Sequence, residues 1–250
     1  MKWSYGVTTV PSRIDDLLPR TLASLSKAGF PEPHLFVDGC RNPKPFERFR
    51  NSGITTHYPH VRTVGNWITA LWELYLRYPD ADRYAIFQDD FVTYRNLRFY
   101  LERTRYPAKG YLNLYTFPEN QKIADKGNHE GFFQSSQWGR GAIALVFTLE
   151  GVTTLLRQPS ILKKPQNVQK GHRSIDGAIV TAFKKVGWRE YCHNPSLVQH
   201  TGEKSSMGNS KHDLAPSFRG EEFDAVQLLV RSEDDGKEGA KPEAACTNGL

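Results

Sequence analysis

Asp89 and Asp90 are adjacent carboxylates that follow directly on the apolar run Tyr84-Ala85-Ile86-Phe87. Two neighbouring carboxylates repel each other unless a cation or solvent neutralises them. Hard divalent cations bind such oxygens, and one held there can bridge the phosphates of a nucleotide and neutralise a leaving diphosphate. The same pair also fits a helix N-cap for the segment beginning near Tyr94. Asp38 ends a second apolar run, where it can accept hydrogen bonds from a nucleoside or close a turn before Gly39. Arg13 follows the first apolar run and fits a nucleotide, its diphosphate or plain solvent. Lys204, Ser205 and Ser206 offer donors to phosphate oxygens. Asp80-Ala81-Asp82 is a literal Asp-x-Asp, yet it precedes the apolar run, so it reads as a solvated turn at the wrong end of a strand.

These residues act together only if the fold carries them to one place. Residues 5–10 are a β-branched run stopped by Pro11. Residues 14–28 place Ile14, Leu17, Leu18, Leu22, Leu25 and Ala28 on one helical stripe. Asp15 and Asp16 fall in its first turn and Gly29 caps its end. Strands are predicted over 34–38, 84–87, 111–117 and 141–148. Helices are predicted over 65–78, 97–103, 150–157 and 175–186, and extended segments over 188–192 and 197–199. Strand alternating with helix specifies an α/β fold, a mainly parallel sheet flanked by helices. Ligands of such sheets gather at the carboxyl ends of the strands. Asp38, Asp89 and Asp90 would then share one edge.

The chain has 250 residues, enough for one domain with a sizeable core. Residues 1–231 are read as that single domain. Residues 232–250 are polar, charged and poor in apolar side chains, and are read as a disordered tail. No apolar run approaches the roughly 20 residues that span a bilayer, so no membrane is expected as a partner. No basic-then-apolar leader precedes the first strand, and a cytoplasmic location is expected. The three cysteines are scattered and form no Cys-x-x-Cys pair, which suggests neither a disulfide framework nor a zinc ribbon. A net charge of +6 fits a polyanionic partner such as nucleic acid or nucleotide phosphate, and equally an ordinary basic surface.

The segments YGVTTVPSR at Tyr5, HLFVDG at His34 and FQDD at Phe87 resemble the GT-A-fold glycosyltransferases of the broad family 2 type. The resemblance covers roughly residues 2–208. It implies a Rossmann-like nucleotide-diphospho-sugar fold, a nucleotide-sugar donor (often a UDP-sugar), and Mn²⁺ or Mg²⁺. Gln88 stands where the first Asp of the family's Asp-x-Asp belongs. Asp90 is then the metal ligand, with Asp89 a ligand or a ribose contact. The base of the donor is expected near Thr9, Pro11 and Asp38. The run Pro195-Ser196-Leu197-Val198-Gln199-His200 with Gly202 resembles the C-terminal end of several such enzymes. There a histidine completes the metal site, a role the resemblance gives to His200, although a lone histidine at a strand end is usually a hydrogen-bonded structural one. The resemblance also assigns Asp176 as general base of an inverting transfer, where a first-turn Asp otherwise serves as a helix cap.

The stretch 119–140 is polar and too long for a bare connection, and is expected to bind the acceptor. Phe132, Phe133 and Trp138 within it stack on sugars and bases alike, or anchor the loop. Arg95, Arg98, Arg103, Arg105 and Lys109 form one basic cluster, and Lys163, Lys164, Lys170, His172 and Arg173 a second. Both are expected to flank the site, as a DNA backbone would require. This is similar to the TET/JBP-associated glycosyltransferases that modify hydroxymethylated pyrimidines in DNA, which implies a DNA acceptor with its base flipped out. A protein or glycan acceptor is the alternative, and a binding module that has lost turnover is a second.

Overall fold

The computed structural model describes residues 1–163, 175–201 and 213–229. The strands and helices follow in the order β1 (Trp3–Thr9), α1 (Leu17–Lys27), β2 (His34–Asp38), β3 (Ile54–His57), α2 (Arg62–Arg77), β4 (Arg83–Gln88), β5 (Phe91–Thr93), α3 (Leu97–Arg103) and β6 (Gly110–Asn113). The chain continues through α4 (Pro118–Lys126), β7 (Gly131–Gln134), β8 (Ala144–Thr148), α5 (Leu149–Leu156), α6 (Pro159–Leu162), α7 (Ile175–Lys185), β9 (Arg189–Asn194) and β10 (Val198–His200).

Eight strands form one sheet in the order β3-β2-β1-β4-β8-β6-β9-β7. β8 runs antiparallel to β4 and β6, and β7 runs antiparallel to β9; the other pairs are parallel. β5 and β10 form a separate antiparallel pair. This is the expected α/β architecture, a mainly parallel sheet flanked by helices.

The period-two alternation of a strand divides the core between the two faces. In β4, Ala85 and Phe87 join Leu18 and Leu25 of α1 and Leu97 and Leu101 of α3. Tyr84 and Ile86 face the other way, with Trp67 and Leu71 of α2, Val152 and Leu155 of α5, and Ile179 and Phe183 of α7. α2 buries Val64, Trp67, Ile68, Leu71 and Leu74, the three-and-four spacing of a helix laid on a sheet.

Several boundaries differ from the sequence expectation. α1 begins at Leu17 because Asp16 caps it, its carboxylate accepting the Leu17 N–H at 2.5 Å; Asp15 and Asp16 thus precede the first turn. The expected strand over 141–148 starts at Ala144, after Gly141 with φ +71°. The stretch 119–140 is not a loop but holds α4 and β7. Pro118 and Glu119 open α4 in the manner of a helix start, but its few apolar residues hide the period. Among the described residues no helix is long and apolar enough to cross a membrane. The expected tail at 232–250 lies outside the described residues.

Candidate active site

The register of the sheet decides what meets Asp89 and Asp90. Thr8 pairs with Gln88 across β1 and β4, so Thr9 stands beside Asp89. The Thr9 hydroxyl donates to Asp89 Oδ2 at 2.5 Å. After β1, a single 3₁₀ turn at Pro11–Arg13 swings Arg13 back over the same edge. Its Nη1 donates to Asp89 Oδ1 and to Asp90 Oδ2, the latter at 2.9 Å. Both aspartates are buried, at 2% and 3% exposure, so their charges depend on this cation rather than on solvent. Burial works against the Arg13 charge, but the two aspartates more than offset it and raise its pKa. Burial also pushes the Asp89 carboxyl up, against the pull of Arg13. The pair does not cap a helix: β5 follows directly, and α3 begins only at Leu97.

His200 reaches the site through strand pairing. β10 lies antiparallel on β5 with His200 opposite Phe91. The Thr201 N–H donates to the Asp90 carbonyl at 2.8 Å, which locks the register. His200 Nε2 thereby stands 3.5 Å from Asp90 Oδ2.

These residues can be tested against a divalent cation. Asp90 Oδ1 and the Thr201 hydroxyl are buried and have no hydrogen-bond partner among the described residues. A buried carboxylate oxygen without a partner is costly unless something else meets it. A carboxylate oxygen and an imidazole suit Mn²⁺, and a carboxylate suits Mg²⁺. Asp89 has both oxygens engaged by Thr9 and Arg13. Among the described residues no cluster of three or more His, Cys, Asp or Glu side chains surrounds a metal position. The donor set therefore fits a cation that keeps most of its positions for phosphate and water, the usual habit of Mg²⁺ at nucleotide sites.

Thr9, Arg13, Asp38 and Asp89 line one small cleft, together with Thr8, Thr63, Asn66 and Gln88. The sequence does not single out Thr63 and Asn66: Thr63 precedes the helix expected over 65–78, and Asn66 is a buried polar residue within the apolar stripe of α2, its amide donating to the Phe36 carbonyl at 3.1 Å. Asp38 also fixes the approach to α2: Oδ1 accepts the Val61 N–H at 2.8 Å, and Oδ2 lies 3.3 Å from His60 Nδ1. Pro11 is exposed at the start of the 3₁₀ turn beside this cleft. Lys204, Ser205 and Ser206 lie outside the described residues.

Gln88 has a structural use. Its side-chain amide donates to the Ala142 carbonyl at 3.0 Å. The Ala142 N–H in turn donates to Asp176 Oδ2 at 3.2 Å. Asp176 is in the first turn of α7, and its carboxylate reaches across to the segment before β8. Because β8 is antiparallel, that segment meets the carboxyl edge of β4. Burial raises the Asp176 carboxyl above its ordinary range, with the Ala142 N–H pulling the other way.

The first basic cluster does not flank this edge. Arg98 pairs with Glu102, and Arg103 stacks on Phe99. Arg105 and Lys109 belong to the loop leading into β6, which is parallel to β4 in the sheet, so they lie toward the opposite, amino edge. Arg103, Arg105 and Lys109 line a wide groove, with Tyr106, Phe132, Arg189 and Tyr191, and none of the site residues above borders it. In the second cluster only Lys163 is among the described residues. Asp80 and Asp82 are exposed at the amino end of β4, where they hold Lys2 through Nζ at 2.5 Å and its N–H at 2.7 Å.

No protein-family model matches this chain, and no curated protein matches it. Among solved structures, a cytidylyltransferase from Leptospira borgpetersenii is 13% identical with a TM-score of 0.44, over 98% of this chain and 100% of that one. A nucleoside-diphosphate-sugar pyrophosphorylase from Vibrio cholerae is 10% identical with a TM-score of 0.39, over 76% and 91%. TarS from S. aureus is 11% identical with a TM-score of 0.49, and the match covers 81% of this chain but 37% of TarS. Likenesses this slight decide nothing about activity, and the architecture rests on the strand order and register described above.

Proposed function

We propose that this chain is a metal-dependent GT-A-type glycosyltransferase that uses a nucleotide-sugar, with UDP-sugar as the favoured donor. The observation that carries the reading is Asp90: one buried oxygen has no partner among the described residues, while the other accepts from Arg13 and faces His200 at the carboxyl edge of the sheet. That edge is where α/β sheets collect nucleotides.

In this reading the nucleoside occupies the cleft of Thr9, Arg13, Asp38 and Asp89, against Pro11. Asp90 and His200 hold Mn²⁺ or Mg²⁺, which when bound neutralises the charge of the leaving diphosphate. Asp89 serves through Arg13 and Thr9, keeping Asp90 in place. Lys204, Ser205 and Ser206 are assigned to the diphosphate. Asp176 takes the proton from the acceptor hydroxyl as its oxygen bonds to the anomeric carbon. The bond from that carbon to the diphosphate breaks, the nucleoside diphosphate leaves with the electron pair, and the anomeric centre inverts. A carboxyl raised by burial is a better proton acceptor once ionised than an ordinary aspartate.

The favoured acceptor is the hydroxymethyl group of a 5-hydroxymethylpyrimidine in DNA. This finer assignment rests on the sequence resemblance and the +6 charge. The test is a donor-by-acceptor screen with Mn²⁺, read by nucleoside mass spectrometry. A gain of one hexose on the modified base supports the whole reading. Release of nucleoside diphosphate without such a gain moves the acceptor to a protein or glycan, and no release with any donor refutes the transferase assignment.

A further inference from the structure

Trp138 is the most exposed large apolar side chain among the described residues, at 76% exposure. The backbone that carries it, by contrast, is tightly fixed. Between β7 and β8 the chain takes positive φ at Gln137 (+60°), Gly139 (+67°) and Gly141 (+71°). A left-handed conformation at a non-glycine residue is costly and persists only where its surroundings impose it.

Those surroundings are specific. The Gln137 side chain clasps the Glu190 backbone in both directions, Nε2 donating to its carbonyl at 2.8 Å and Oε1 accepting its N–H at 3.0 Å. The Asn113 amide donates to the Arg140 carbonyl at 3.0 Å. Gly139 lies directly on the first turn of α7, so that a Cβ there would collide with the carbonyl oxygen of Asp176. Two residues beyond Arg140, the Ala142 N–H holds the Asp176 carboxylate. The loop that presents the indole is thus held against Asp176 through Gly139 and Ala142 and against β9 through Gln137. An exposed ring on a rigid support, fixed beside a half-buried carboxylate, has the form of a preorganised binding surface.

We propose that Trp138 is the platform on which the ring of the acceptor stacks, so that its hydroxyl is delivered to Asp176. This rests on the transferase reading above and deepens it. The chemistry required of the ligand is a ring with one face free to lie on the indole and an exocyclic hydroxymethyl group. An indole outside the core supplies such a face without ordering a flexible side chain, and stacking tolerates different rings.

The test uses the whole chain with Mn²⁺ and UDP-glucose. One acceptor is an oligonucleotide carrying 5-hydroxymethylcytosine, and the other is methyl β-glucoside. Trp138→Ala is expected to raise the KM of the acceptor that works by about tenfold or more, with kcat at saturation changing far less. Trp138→Phe is expected to recover most of that loss. Independently of turnover, the fluorescence lost in Trp138→Phe is the part that the ring-bearing acceptor quenches in the parent protein. An unchanged acceptor KM in Trp138→Ala, or no quenching assignable to Trp138 by either acceptor, overturns the proposal. Absence of nucleoside diphosphate release by the parent protein counts instead against the transferase reading, and the quenching measurement still decides the platform.

Discussion

Nη1 of Arg13 stands 2.9 Å from Oδ2 of Asp90, across 77 positions of sequence. The same nitrogen also donates to Asp89. The guanidinium does what a cation or solvent was expected to do for two adjacent carboxylates: it compensates them, and it does so from within the chain. Its side chain is 11% exposed, so the pair is largely desolvated.

Removing that cation should therefore be expensive. Breaking a buried ion pair by deleting one partner typically costs about 3–5 kcal/mol. Arg13→Ala is expected to lose stability of that order in urea denaturation. Mn²⁺ should restore part of it, because a divalent ion can replace the missing positive charge. A variant as stable as the parent would mean that Asp89 and Asp90 do not depend on Arg13.

Asp90 and His200 carry the proposed metal contact. Asp90→Asn and His200→Ala are each expected to weaken Mn²⁺ binding at least tenfold, read by the loss of free Mn²⁺ signal in electron paramagnetic resonance. Asp89→Asn should act less, since its oxygens already serve Thr9 and Arg13. Equal Mn²⁺ affinity in all three variants and the parent would remove the metal from this edge.

Asp176 must be ionised to accept a proton. Because burial raises its carboxyl, activity should fall on the acid side at a higher pH than an ordinary aspartate would give. Asp176→Asn is expected to reduce transfer by roughly 100-fold or more, the usual scale for a general base, while UDP binding by calorimetry persists. Transfer at parental rate in the Asn variant would exclude the base role.

His193 offers a separate test of the fold. It is buried, with Tyr100 Oη 2.6 Å from its Nε2 and the Pro195 carbonyl 2.6 Å from its Nδ1. Burial lowers its pKa from 6.5 to about 4. The folded protein thus resists a proton that the unfolded chain accepts. This contribution is complete above pH 6.5, is lost as pH falls towards about 4, and amounts to about 3 kcal/mol. Asp176 and Glu190, whose pKa values are raised, push the other way, so the comparison must be between proteins. His193→Gln should lose less stability between pH 7 and pH 4.5 than the parent does. Identical pH dependence in the two would show that His193 is not held neutral.

The sequence by itself determined the architecture and the edge that matters. The β-branched and apolar runs at β1, β2 and β4 and the three-and-four spacing of α1 and α2 are local properties, because each element must bury one stripe or both faces. A carboxylate directly after a buried strand must lie at its carboxyl end, which placed Asp38, Asp89 and Asp90 on one edge and Asp80 and Asp82 on the other. Short or polar elements escaped: β5 has three residues, β7 has four, and α4 has few apolar residues to mark its period.

Only the tertiary structure decided which side chains meet at that edge. His200 reaches Asp90 because β10 pairs with β5, a register that neither segment encodes alone. Arg13 belongs to the aspartates because the turn after β1 reverses over β4. Gln88 and Asp176 are linked because β8 runs antiparallel and brings Ala142 between them. Arg105 and Lys109 left the site because the loop that carries them leads into the amino end of β6. Each is a long-range pairing fixed by the packing of the whole sheet, and strand periodicity constrains which face a residue takes but not which neighbour it finds.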